Sequence, residues 1–273
     1  MSTTDYYEAY WSPTGFRPQA DLEPQVRRLL ETHVADPTAR CLDVGCGNGI
    51  SYGRWLKDHV GEYVGVDISE TAVAEARGLG LGVHRIRDAS DLPFPDGSFA
   101  SAVCLAVLEH LFQPQLVAAE IVRALRPGGV LVVTVPNVAY WRRRADLLLF
   151  GRWNPVGDDL SSDQPWRDPH IRFFTTRTLR RMLTRAGFER VDVGGHDGAL
   201  IRDTTVLRRL AGSTPSRPYR VAQRLAPGFF GHRLHGVARR AATEPPPLAP
   251  RRSSGASGTT WAPRAVSFSW VDR

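Results

Sequence analysis

The run CLDVGCGNG, residues 41–49, ends a short apolar stretch on three glycines at every second position. Positions without side chains at that spacing break a strand and let the main chain approach a nucleotide-like ligand. The loop therefore constrains the fold around it and raises a narrower question, which ligand it holds.

From residue 41 to about 195, short β-branched runs alternate with helical stretches, the pattern of a parallel sheet with crossover helices. Strands are predicted at 40–44, 63–67, 83–87, 99–104, 130–135 and 189–194, with GHRLHGVARR supplying a last strand near 233–238. Val117, Ile121, Ala124 and Leu125 mark a helix opened by Pro114 and stopped by Pro127-Gly128-Gly129. Leu179, Met182, Leu183 and Ala186 share one face of a helix over 176–187, with Arg177, Arg180, Arg181 and Arg185 as its solvated side. The segment 137–174 is too long for an ordinary connection and reads as a lid or binding loop. The domain plan is thus an N-terminal helical lid over 1–39 and a body over 40–242, with short Arg-rich helices capping it at 203–228. Residues 243–273 read as a disordered tail, although AVSFSWV alternates like a strand.

Charge argues against nucleic acid as partner. The net charge of +7 comes from residues 201–273, which hold 13 arginines and 3 acids, leaving 22 basic and 25 acidic residues in 1–200. Lys57 is the only lysine, which reads as a bias toward arginine and not as selection for phosphate binding. Cys41, Cys46 and Cys104 lie in or beside apolar runs without metal-ligand spacing, so they read as small buried hydrophobes in a reducing cytosol. Neither a secretory signal nor an apolar run long enough for a bilayer is visible, and the expected location is cytoplasmic.

The glycine loop is a poor pyrophosphate binder. Position 50 is Ile where a dinucleotide fingerprint needs its third glycine, and no lysine completes a phosphate loop. Asp43 stands two residues before the first glycine, where it would repel a phosphate and welcome a cationic amine. Asp67 ends the next strand and can accept from both hydroxyls of a ribose, and Asp88 follows the strand after that, where it could accept from an adenine amine. Amine, ribose and adenine together describe S-adenosylmethionine. As helix caps or turn formers, Asp67 and Asp88 would need no ligand at all.

LDVGCGNG, VGVDIS, DLPFPDGSFASAVCLAVLEHL and LRPGGVLVVTVPN follow one another in the order of class I S-adenosylmethionine-dependent methyltransferase motifs, and the chain resembles that family from about Tyr6 to Arg239. PNVAYWRRRADLLLFGRW and PHIRFFTTRTLRRMLTRAGF are similar to the branch that includes the methionine biosynthesis protein MetW. The resemblance implies a Rossmann-like, doubly wound, mostly parallel seven-stranded α/β sheet with helices on both faces and an insertion after strand five. It also implies that Gly45, Gly47 and Gly49 pack against the methionine portion of the cofactor with Asp43 close by. Asp67 with Ile68 would take the ribose, Asp88 with Ala89 the adenine, and Cys104 with Leu105 the methionine side of the pocket.

Methyl transfer from a sulfonium needs no nucleophilic residue, because the cofactor brings its own leaving group and the protein mainly aligns the acceptor. A hydroxyl acceptor gains from a general base, for which His110 and His170 are the candidates; each also reads as a structural histidine. Ubiquinone O-methyltransferases, similar in this stretch, carry another acid three residues before the Glu of LEHL; here that position is Ala106, and no metal is expected. Tyr6, Tyr7, Tyr10 and Trp11 match an N-terminal lid whose aromatic faces could meet the sulfonium or simply pack the lid down. Trp141, Arg142, Arg143, Arg144 and Arg152 read as a solvated amphipathic helix, with an anionic or membrane-bound acceptor as the alternative. The expected function is methyl transfer to an O or N of a small molecule, a sugar or secondary metabolite, and a homodimer is among the expected assemblies. A cofactor-binding partner that regulates another enzyme is the other reading.

Overall fold

The computed structural model describes residues 3–11, 23–153, 169–196 and 217–242. The tail expected over 243–273, residues 203–216 of the expected cap and residues 154–168 of the insertion lie outside these. One sheet organises the described chain. Its seven strands are β1 (Asp36–Val44), β2 (Val60–Asp67), β3 (Val83–Arg85), β4 (Phe99–Leu105), β5 (Leu125–Pro136), β6 (Phe188–His196) and β7 (Arg233–Arg240), in the order β3-β2-β1-β4-β5-β7-β6. All neighbouring pairs are parallel except those of β7, which runs antiparallel to β5 on one side and β6 on the other. The last strand therefore enters the sheet one place inside its edge, and β6 pairs with β7 alone.

The helices are α1 (Thr3–Tyr10), α2 (Pro24–His33), α3 (Gly53–His59), α4 (Glu70–Gly78), α5 (Pro114–Ala124), α6 (Trp141–Phe150), α7 (Thr176–Ala186), α8 (Arg217–Leu225) and the single turn α9 (Pro227–Phe230). Alternation along the strands sorts the core into two layers, as the two-residue period of a strand requires. Leu42, Val44, Val64, Val66, Ala102, Cys104, Leu131 and Val133 face α5 and α7, with Val117, Ile121, Leu179 and Leu183 packed among them. Cys41, Tyr63, Val83, Val103 and Val132 face the other way, onto Val26 and Leu30 of α2, Leu56 of α3 and Val73 and Ala76 of α4.

Two features depart from the sequence expectation. Residues 24–39 are not lid: α2 buries Val26 and Leu30 in the core, and β1 already begins at Asp36. Arg143, expected on a solvated helix face, is buried, its Nη1 donating to the Asn137 carbonyl at 2.7 Å while Nη2 lies 3.2 Å from His232 Nε2. The α7 arginines are exposed as expected, and that helix carries a capping box between Thr175 and Thr178 and a left-handed Gly187 at its end.

Candidate functional site

The C-terminal ends of β1, β2 and β4 lie side by side, β1 between the other two. After Val44 the chain turns through Gly45, Gly47 and Gly49, all left-handed with φ of +73°, +55° and +73°. The Gly45 and Cys46 amides donate to the Val66 carbonyl at 2.8 and 3.1 Å, which stitches the loop to the end of β2. The Gly47 amide donates to Asp67 Oδ2 at 2.8 Å, and Asp67 Oδ1 accepts from the Ser69 amide at 3.0 Å. Asp67 is buried at the loop it organises, and burial pushes its carboxyl up against the pull of those amides. Ser69 Oγ then caps α4 by accepting from the Ala72 amide.

Asp43 is buried beside it. Its Oδ2 accepts from the Tyr63 hydroxyl at 2.8 Å, and burial, with a smaller push from the Asp67 charge, raises its carboxyl to about 7. Two buried carboxylates without a basic side-chain partner among the described residues make a site that a cation would stabilise. Tyr63, which no motif reading singled out, reaches Asp43 because Gly65 has no side chain: a Cβ there would sit 2.9 Å from the Tyr63 hydroxyl.

The remaining expected cofactor residues are placed as follows. Ile68 lines a hollow of about 300 Å³ with Arg85, Ile86 and Arg87 at the ends of β2 and β3. Asp88 lies beyond β3, which stops at Arg85 and not at residue 87; it is exposed, and its Oδ1 accepts from the Ser90 amide at 2.8 Å in a side-chain turn. Ala89 is buried. Cys104 is fully buried in the core, and only Leu105 of that pair keeps exposed surface.

Helix α1 lies over the glycine loop. Glu8 accepts from the Glu70 and Thr71 amides at 2.5 and 3.1 Å and from the Ser69 and Thr71 hydroxyls, so its carboxylate sits on the N-terminus of α4. Those donors hold the Glu8 carboxyl below its ordinary range, outweighing the desolvation that opposes them. The Trp11 ring packs on Gly47, where a Cβ would meet Trp11 Cη2 and Cζ2 at 2.6 Å. Tyr10 stands edge-on to Trp11, and Tyr7 stands edge-on to the His110 ring at 6.1 Å.

On the β4 side the chain turns at Ala106, the one non-glycine with positive φ among the described residues, at 57°. Its amide donates to the Thr134 carbonyl at 3.0 Å, and a 3-10 turn over Leu108–His110 follows. That turn aims Glu109 inward. The side chain is 1% exposed, and among the described residues neither carboxylate oxygen meets a hydrogen-bond donor. Burial raises its carboxyl to about 7, opposed by its own amide and the Arg233 charge. The Ile171 and Arg172 amides both donate to the Glu109 carbonyl at 2.9 Å, which brings His170 in: its Nε2 is 4.0 Å from Glu109 Oε1, and its ring centroid is 4.5 Å from that of His110. Glu109, His110 and His170 each place one ligand atom (a ring nitrogen or a carboxylate oxygen) within 4.8 Å of the others, close enough to share a proton or hold a cation. Both expected histidines thus meet, around a glutamate that sequence reasoning passed over. Trp141 opens α6, its ring edge-on to Tyr140.

Sheet order and an acid-flanked glycine loop at the carboxyl ends of the strands define a doubly wound nucleoside-binding domain of the methyltransferase kind. Residues 16–193 match the family model described as a methyltransferase domain, and the chain belongs to that family, among the class I S-adenosylmethionine-dependent methyltransferases. A protein of Mycolicibacterium smegmatis named as an S-adenosylmethionine-dependent methyltransferase is 33% identical over 156 residues, 56% of this chain and 53% of its own. A ubiquinone biosynthesis O-methyltransferase of Marinobacter nauticus is 33% identical over 139 residues, 47% of this chain and 57% of its own. The chain thus spans about half the length of these curated relatives. The crystal structure of a methyltransferase from Archaeoglobus fulgidus shares the fold, with a TM-score of 0.54 at 20% identity over 79% of this chain and 91% of that one. S-adenosylmethionine is the cofactor of the class. The residues fit it: two buried acids suit a cation, and the left-handed Gly45, Gly47 and Gly49 carry the loop past them, with Val107, Trp11 and Leu81 packed where their side chains would be. Among the described residues no helix is long and apolar enough to cross a membrane.

Proposed function

We propose that the protein transfers a methyl group from S-adenosylmethionine to an oxygen or nitrogen of a small molecule such as a sugar or secondary metabolite. The observation that carries this reading is the pairing of buried Asp43 and Asp67 around the glycine loop, an acidic socket with no basic side chain bonded to either acid among the described residues. In it, Asp43 and the loop of Gly45, Gly47 and Gly49 take the amino-acid end of the cofactor, Asp67 and Ile68 the ribose, and Asp88 and Ala89 the adenine beside the hollow at β2 and β3. When bound, the cofactor supplies an electrophilic methyl with its leaving group attached. The protein's share is alignment, worth about 7–11 kcal/mol of barrier in well-oriented reactions. Leu105 borders the methionine end, with Cys104 backing it from the core. Tyr10 and Trp11 of the lid cover that end from above, and Trp141 stands at the start of the insertion as its contribution to acceptor binding. In this reading His110 and His170 take the acceptor side and handle the proton an acceptor must lose, a role their clustering with Glu109 supports.

Calorimetry with S-adenosylmethionine and with NAD tests the reading. Binding of the first and not the second is expected; binding of NAD alone sinks it. Incubation with methyl-labelled cofactor and candidate acceptors then separates an enzyme from a cofactor-binding regulator.

A further inference from the structure

We infer that Glu109 is the group that accepts the acceptor's proton during methyl transfer, with His170 passing it on; the inference rests on the methyltransferase reading above. Buried side-chain oxygens nearly always find a donor, yet among the described residues both oxygens of Glu109 lack one at 1% exposure. The position is nevertheless firmly built, since its backbone carbonyl holds two amides of the loop that carries His170. A carboxylate fixed this way and left without donors is poised to receive a proton.

Its neighbours narrow the choice. The Tyr7 and Tyr10 phenols are raised above their ordinary value by burial, with the Glu109 charge adding to the effect, so they stay protonated. The Cys104 thiol is raised by burial in the same way. His110 has its Nδ1 3.3 Å from the Pro169 carbonyl and its ring against Tyr7, the surroundings of a positioning residue. His170 Nε2, 4.0 Å from the carboxylate, is the next stop for the proton. Burial also brings the Glu109 carboxyl to about 7, where it can take a proton and release it again at neutral pH. In the step, the acceptor oxygen forms its bond to the methyl carbon, the S–C electron pair stays on sulfur, and the O–H proton passes to Glu109.

The test uses the full chain and the variants Glu109→Gln, Glu109→Asp and His170→Gln. Cofactor affinity is read by calorimetry, the carboxyl C=O stretch by infrared difference spectra between pH 5 and 9, and turnover with methyl-labelled cofactor on the best acceptor of a panel of catechols, phenolic acids and glycosides. Glu109→Gln is expected to remove one carboxyl band that titrates near neutrality and keep cofactor affinity within about twofold, while turnover falls about 10²-fold or more with little change in acceptor KM. Glu109→Asp restores part of the rate, and the rise of wild-type kcat with pH disappears in the glutamine variant. Turnover of Glu109→Gln within threefold of wild type overturns the inference, as does a Glu109 band already ionised at pH 5. Loss of wild-type activity to a chelator with recovery on adding magnesium also overturns it, making Glu109 a cation holder. A wild-type protein that fails to bind the cofactor sinks the functional reading instead.

Discussion

The Tyr63 hydroxyl donates to Asp43 Oδ2 at 2.8 Å, joining the ends of two neighbouring strands beneath the glycine loop. The bond resists the upward push that burial exerts on Asp43. Tyr63→Phe removes it, so Asp43 becomes harder to ionise at pH 7. Calorimetry is expected to show S-adenosylmethionine affinity falling about tenfold at pH 7, the scale of a hydrogen bond to a charged group. The loss should shrink at pH 9, where Asp43 is ionised in both proteins; an equal loss at both pH values would assign Tyr63 a packing role only.

Gly47→Ala combines two penalties. Its φ of +55° disfavours any side chain, by about 1–2 kcal/mol, and the new Cβ meets the Trp11 ring. The melting temperature should fall by several degrees. Gly151, equally left-handed at +61° with open space around it, is the control whose alanine variant reports the backbone term alone.

Glu8→Ala strips α1 of its attachment to α4. Four donors lose their acceptor at once. Amide exchange through Thr3–Tyr10 should accelerate about tenfold or more, while the melting temperature moves by only a degree or two. Unchanged exchange in α1 would show that aromatic packing alone holds it.

Glu109→Gln should stabilise the fold at pH 8. The folded carboxyl lies at about 7, above the value of an unfolded glutamate, so the folded state binds more protons between the two and loses stability as pH rises through that window. Asp43 acts in the same sense, whereas His232 and His235, lowered to about 3 chiefly by burial, act in the opposite one. The effect is therefore read as a difference between variant and wild type: near zero at pH 4 and about 2–3 kcal/mol in favour of the variant at pH 8, by urea unfolding. A flat difference would mean that the carboxyl ionises as easily folded as unfolded.

Arg143→Ala leaves the Asn137 carbonyl without its guanidinium donor inside the protein. Urea unfolding is expected to show a loss of about 2–4 kcal/mol, against under 1 kcal/mol for exposed Arg144→Ala.

Local pattern made much of this architecture readable in advance. The strands begin and end within a few residues of where β-branched runs and turn residues placed them, because alternation and punctuation are written along the chain. Gly47 and Asp67 were visible for the same reason. Contacts between distant segments were not. Arg143 sits between Arg142 and Arg144 in a helix that looks solvated, and its burial involves His232, which arrives from the end of the domain. Glu109 reads as one more acid in LEHL until the loop at 169–172 folds onto its carbonyl. Trp11 looked like a generic lid aromatic; its contact with Gly47 depends on where Glu8 anchors the helix.

The antiparallel strand β7 has a consequence for how the molecule is made. Among the described residues, strand β6, residues 188–196, has no ladder partner except residues 233–240, which leave the ribosome later. Until they arrive, the nascent chain exposes two unsatisfied backbone edges, β5 and β6, spaced to receive one missing strand between them. A variant that weakens β7 is therefore expected to leave two strand edges open to intermolecular pairing, read as a rise in aggregation on refolding.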